Sequence, residues 1–286
     1  MAADMQTRTM GTVTSRDGTP IAYEHGGSGP PLVLVHGTTA SHTRWAPVLP
    51  GLEARHTVNA VDRRGRGASG DADAYAVERE FEDVAAVVDV VAAEAGPVDL
   101  LGHSFGGLCA LGAALRTPNI RRLIVYEGAP AGVLTVPPDL VARMQAQIDA
   151  GDRDGAVQTM MREVVQVPDE QLALLRSLPA WEARVAAAHT IPRELHVTNT
   201  YRLDPARLAG IRVPTLLLLG GDSPAFFRTS TRRSSGPARR RWARRCRTRG
   251  WWCCPASSTP RWTRRQSCSR AKSWPSWRRS KRGVQQ

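Results

Sequence analysis

Six consecutive residues, Gly102-His103-Ser104-Phe105-Gly106-Gly107, carry the clearest chemical content in the chain. A serine stands with glycine two positions before it and two after, the G-x-S-x-G spacing. The apolar run "VDLLGHS" before it reads as a buried strand, and "FGGLCALGAALR" after it reads as a helix of small residues. A sharp strand-to-helix turn of this kind holds its serine in a strained conformation, and a β-carbon at either glycine would collide with the neighbouring strand or helix. The helix then directs its N-terminus at the serine, where negative charge would be stabilised. These residue types at this spacing predict a serine hydroxyl, at Ser104, that attacks a carbonyl carbon.

Such a serine needs a sheet to carry it. Residues 11–15 and 20–25 alternate as a strand pair about the turn Asp17-Gly18. "PLVLVHG" (31–37), "TVNAVD" (57–62), "RRLIVYEG" (121–128) and "VPTLLLLGGD" (213–222) are further short apolar strands. Residues 75–94 place Phe81, Val84, Val87, Val88 and Val91 at helical spacing. Apolar strands alternating with helices predict an α/β class with a mostly parallel, doubly wound sheet covered on both faces. The helical pattern of residues 135–204 is too long for a plain crossover and reads as a lid over the sheet's C-terminal edge, where open α/β sheets bind ligands. The expected organisation is a core of 1–134 and 205–227, a helical lid of 135–204, and a tail of 228–286.

The tail differs from everything before it. The chain has 286 residues and a formal net charge of +13, which suggests a nucleic-acid or anionic-membrane partner. Residues 228–286 alone hold 17 Arg, 2 Lys and no Asp or Glu, a charge of +19, and the first 227 residues are acidic at −6. Four of the five cysteines and six of the eight tryptophans also lie in the tail. The body holds only Cys109, which excludes a disulfide framework there, and the tail cysteines lack the paired C-x-x-C spacing of a metal site. The first residues show no secretory h-region, and apolar runs such as "LLLL" (216–219) are too short to span a bilayer. These features predict a cytoplasmic protein with no membrane, metal or cofactor requirement.

From about residue 10 to 225 the sequence resembles the α/β-hydrolase family, the last strand and helix of that fold being without a counterpart. The elbow at Ser104 carries the resemblance, with His36-Gly37-Thr38-Thr39 after the third strand and "DRRGRGAS" (62–69) after the fourth. The resemblance implies an oxyanion hole made by the backbone N–H groups of Thr38 and Phe105, supported by His36, Gly37, Gly102 and Gly106. It implies that an acid follows the strand after the lid, which selects Asp222, with Glu127 in "VYEGAP" as the competing acid and more simply a structural residue. "DRRGRGAS" is expected to be a structural loop held by arginine contacts. The implied activity is Ser-His-Asp hydrolysis of a small-molecule ester or related acyl compound, without metal or organic cofactor. Lactonases, C–C bond hydrolases and cofactor-free haloperoxidases belong to the same family.

The base that this chemistry needs should follow one more strand, and no histidine occurs after Asp222; the last of the seven is His196. Where the base belongs, the chain reads "GWWCCPASSTPRW" (250–262). Codon degeneracy offers an explanation. Trp has one codon and Cys two, so shifting the frame by one base turns Trp251-Trp252-Cys253-Cys254 into Leu, Val or Met followed by an obligatory Val-Val-Leu. With GC-rich codons the stretch becomes Val-Val-Val-Leu-Pro-Gly-Gln-Gln-His-Thr-Ala-Met-Asp, a buried strand, a turn and a histidine. Residues from about 228 are thus read as an out-of-frame translation, which leaves the chain as written short of its catalytic histidine. Two alternatives stay open: a non-catalytic ligand-binding scaffold, and a hydrolase body with a genuine basic tail that binds nucleic acid.

Overall fold

A computed structural model describes residues 8–128 and 135–220, all within one compact unit. Two antiparallel strands open the chain, β1 (Thr9–Thr14) and β2 (Pro20–Gly27), joined by the turn in which Gly18 takes a φ of 87°. Five parallel strands follow: β3 (Pro31–Val35), β4 (Thr57–Val61), β5 (Val98–His103), β6 (Ile120–Tyr126) and β7 (Thr215–Leu218). The seven form one sheet in the order β1-β2-β4-β3-β5-β6-β7, with β2 antiparallel to β4 and β3 to β7 mutually parallel. The expected strands are therefore present. β7 is shorter than the apolar run suggested and half-buried along its length, being, like β1, an edge strand among the described residues.

Register brings the C-terminal strand ends together. Val35 pairs with both Val61 and Gly102, His103 pairs with Tyr126, and Tyr126 pairs with Leu218. The residues following these strands, at 36–39, 62–66, 104–105, 127 and 219–220, therefore emerge along one edge.

Helices α1 (Leu49–Glu53), α2 (Val77–Ala95) and α3 (Phe105–Ala113) cover the sheet. The periodicity of α2 has the predicted consequence: Phe81, Val84, Val87, Val88 and Val91 are buried against α3 and one sheet face. Leu32, Leu34, Val58 and Ala60 face the other way and pack with Trp45 and Leu49. Removing such side chains from water is the main source of stability here, at about 25 cal/mol per Å² of apolar area.

Between β6 and β7 lies the helical insertion: α4 (Pro138–Asp149), α5 (Arg153–Thr159) running into a wider turn at Met160–Val164, α6 (Asp169–Arg176), α7 (Ala180–Ala186) and α8 (Ile191–Thr200). A short helix α9 (Pro205–Leu208) leads back to the sheet. The insertion has a hydrophobic core of its own, with Met144, Val157, Met161, Leu172, Trp181 and Ile191 at its centre. Helix α8 serves both cores, because Ile191 and Leu195 face the insertion while Val197 faces the sheet. No helix among the described residues is long and apolar enough to cross a membrane.

Candidate active site

The backbone at Ser104 is strained as the glycine spacing requires, with φ 53° and ψ −123°. Ser104 N donates to Tyr126 O at 2.9 Å, which pins the turn to β6, and α3 begins at the next residue. A β-carbon on Gly106 would lie 2.4 Å from the carbonyl oxygens of both Val35 and His36, and one on Gly102 would lie 2.3 Å from Gly106 O. Any side chain at either position would push the elbow off the sheet. The α3 helix supplies backbone N–H groups without intrahelical partners at its start.

The turn after β3 lies directly against the elbow. A β-carbon on Gly37 would be 2.8 Å from the Ser104 β-carbon. Thr38 follows, half-buried, and Thr39 takes a φ of 54° with its hydroxyl donating to Thr38 O at 2.7 Å. His36 is fully buried: Nδ1 donates to Gly37 O at 2.8 Å and Nε2 accepts from Arg63 N at 3.2 Å. Burial, reinforced by Arg63 and Arg66, pushes its pKa well below the ordinary histidine value, so the neutral ring acts as a brace.

The loop after β4 is held by arginines, as its sequence suggested. Asp62 accepts from His42 N at 2.8 Å, His42 Nδ1 at 2.9 Å and Ala68 N at 3.0 Å. Its hydrogen bond raises the His42 pKa. Arg63 donates twice to Glu80, at 2.8 and 2.7 Å, and once to Glu194 of α8 at 2.5 Å. Arg66 meets the same Glu194 oxygen and donates to Thr190 Oγ1. Arg64 grips Asp83 through two bonds of 2.7 Å. Burial opposes the charge on Glu80, but Arg63, Arg66 and Arg193 outweigh it and hold the carboxyl at about 2. Phe105, first residue of α3, has the Arg63 guanidinium 4.6 Å above its ring.

Glu127, the competing acid, directly follows β6 with a φ of 44°. Its N–H donates to Leu218 O at 2.8 Å, and its Oε1 accepts from Gly220 N at 3.3 Å. Its Oε2 is 4.0 Å from His103 Nε2. His103 is wedged between Trp45 and Tyr126, and burial, with Arg44 and Arg184 nearby, lowers its pKa to about 3. Asp222 and residues 228–286 lie outside the described residues. All seven histidines are described, and none of them hydrogen-bonds the Ser104 hydroxyl. Among the described residues there is no cluster of His, Cys, Asp and Glu able to hold a metal ion.

Two residues at this edge were not singled out from sequence. Arg44, in the short turn His42–Trp45, brings Nη2 to 3.4 Å from His103 Nε2. Arg184 of α7 donates through Nη1 to Thr39 O at 2.8 Å and to Thr39 Oγ1 at 3.2 Å. Nothing local marks either one; each matters through contacts 59 and 145 residues away.

The sequence fits the model of the alpha/beta hydrolase family over residues 32–271. It is similar to pyrrolizixenacetamide deacetylase of Xenorhabdus hominickii, 39% identical over 113 residues, which are 38% of this chain and 41% of that protein. It is also similar to a pimeloyl-[acyl-carrier protein] methyl ester esterase of Neisseria meningitidis, 30% identical over 201 residues, 66% of this chain and 74% of the other. The chain thus spans about two fifths of the first relative's length and about three quarters of the second's. Among solved structures, an alpha/beta hydrolase from Sphaerobacter thermophilus matches with a TM-score of 0.67 and 43% identity, over 78% of this chain and 87% of that one. On the reach of the family model, the Neisseria relative and the shared architecture, the chain belongs to the alpha/beta hydrolase family.

Proposed function

We propose that this hydrolase is built for ester or related acyl hydrolysis through Ser104. The observation that carries the reading is the strained backbone of Ser104 (φ 53°) at the start of α3, with the Gly37 turn against its β-carbon. In that reaction a base takes the Ser104 proton and the oxygen attacks the substrate carbonyl. The N–H groups of Thr38 and Phe105 hold the resulting oxyanion. The leaving alcohol takes the proton, water then repeats the attack on the acyl-enzyme, and the acid is released. Asp222 is the acid that orients the base. A deacetylase and a methyl ester esterase among the relatives support an acyl substrate. The substrate is a small molecule met in the cytoplasm, and no nucleic acid takes part.

In the chain as written the base is missing. Loss of a triad base costs on the order of 10⁴–10⁶ in rate. We attribute the loss to translation out of frame from about residue 228. What supports this is the abrupt change at about that point to a segment of charge +19 with no acidic residue.

The deciding experiment compares this chain with one whose reading frame is restored after about residue 227. The restored chain is expected to label at Ser104 with a fluorophosphonate and to hydrolyse p-nitrophenyl esters at least about 10⁴-fold faster, both lost in Ser104→Ala. An inert restored chain, or brisk turnover by the present chain that survives Ser104→Ala, refutes the proposal. The absence of a histidine on Ser104 also favours a second reading, a scaffold that binds its ligand without turnover; ligand-dependent thermal stabilisation of a restored but inert chain is its signature.

A further inference from the structure

Every fully buried arginine at this edge of the sheet has a carboxylate. Arg63 has Glu80 and Glu194, Arg64 has Asp83 and Asp17, and Arg66 has Glu194. The pattern is what electrostatics demands, because a guanidinium withdrawn from water is costly unless an opposite charge compensates it.

Arg44 and Arg184 break the pattern. Both are half-buried, and among the described residues neither has a carboxylate within 4.0 Å. Their hydrogen-bonding partners are neutral: the His103 ring for Arg44, and the Thr39 carbonyl and hydroxyl for Arg184. Burial lowers the pKa of each, against which the nearby Tyr126 and Glu127 raise that of Arg44. Arg44 further depresses Arg184, which falls to about 10, so two like charges stand within range of one another. His103, lowered by both, does not offset them.

Among the described residues the Glu127 carboxylate acts on Arg44 at longer range, one negative charge against two guanidiniums, and their location gives the remaining positive charge a purpose. His103 directly precedes Ser104, and Thr39 directly follows Thr38. One arginine is therefore anchored on the elbow and the other on the adjoining turn, one from the sheet's edge and one from the insertion. A guanidinium offers up to five N–H donors in a planar fork that matches a carboxylate.

We infer that Arg44 and Arg184 form an anion subsite beside Ser104 that selects acyl substrates carrying a free carboxylate at the end remote from the scissile bond. The inference rests on the proposed role of Ser104 for its meaning in catalysis, but the subsite itself binds without turnover.

Calorimetric titration of the full chain carrying Ser104→Ala, with half-esters of succinate, glutarate and adipate against their diesters, tests it. A half-ester is expected to bind at least tenfold more tightly than its diester. Arg184→Gln and Arg44→Gln should each remove that preference and leave diester affinity unchanged, whereas Arg184→Lys should keep part of it. The basic tail is common to all variants, so non-specific attraction cancels in the comparison. A melting curve for each variant separates loss of fold from loss of the subsite; should Arg44→Gln fail to fold, Arg184→Gln and Arg184→Lys decide. Equal affinities for half-ester and diester, no binding of either, or a preference that survives Arg184→Gln would overturn the inference. An inert Ser104 alongside a retained carboxylate preference would instead remove the catalytic reading and leave the subsite.

Discussion

Glu194 on helix α8 accepts a hydrogen bond of 2.5 Å from Arg63 in the loop after β4, and both side chains are sealed from solvent. The same oxygen serves Arg66, while Oε2 of Glu194 has no partner among the described residues. One carboxylate thus ties the insertion to the loop whose backbone braces His36, which in turn braces Gly37. Removing one member of a buried ion pair strands the others. Glu194→Gln is therefore expected to cost about 3–5 kcal/mol in urea unfolding followed by tryptophan fluorescence. The double variant Glu194→Leu/Arg66→Met should cost less than the sum of its single changes.

The elbow makes opposite predictions at Gly106 and Ser104. Gly106→Ala brings a methyl group against two carbonyl oxygens at 2.4 Å, and a loss of about 3 kcal/mol or more is expected. Ser104→Gly removes a side chain from a backbone with φ 53°, and should be more stable than Ser104→Ala by about 1 kcal/mol. Thermal melts of the parent and the three variants under one buffer condition decide both.

His103 makes stability depend on pH in a definite direction. Its folded pKa is about 3 against an ordinary 6.5, so between those values the unfolded chain holds a proton that the folded chain does not. Stability from this group is complete above pH 6.5 and falls as pH drops toward 3, by up to about 1.4 kcal/mol per pH unit. Neutral, buried His36 acts in the same direction. Glu80, held at about 2 against 4.5, adds to the loss only below pH 4.5, so pH 5 to 6.5 isolates the histidines. Over that interval His103→Gln should unfold with a visibly shallower pH slope than the parent; identical slopes would mean that His103 is free to protonate in the fold.

Cys109 lies fully buried in α3, and burial pushes its thiol well above the ordinary range. In native buffer its peptide should stay unmodified by iodoacetamide and become modified in urea, as read by mass spectrometry.

Much of this architecture was legible in the chain because the signals were local. Phe81, Val84 and Val88 announce a helix face by their spacing, and Gly102 and Gly106 announce a turn around Ser104. The strand boundaries shifted by a residue or two, since apolar residues such as Leu219 continue past the last paired position of β7. Arg44, Arg184 and Glu194 escaped for the opposite reason. An arginine in a turn and a glutamate on a helix look like ordinary solvated charges until the fold brings each beside a partner far away in sequence. Asp222, chosen because it follows the last apolar run, lies outside the described residues and is a proposal on sequence alone.

The insertion fills its own interior with Met144, Leu172 and Trp181, and it meets the loops at the sheet's edge through polar ties such as Arg63–Glu194 and Thr39–Arg184. Apolar packing onto the sheet's core enters through Val197 of α8, so most of the insertion's own packing and its polar attachment are kept on different side chains. A substitution at an attachment residue such as Arg184 thus alters the rim of the sheet's edge and leaves the insertion's own core undisturbed.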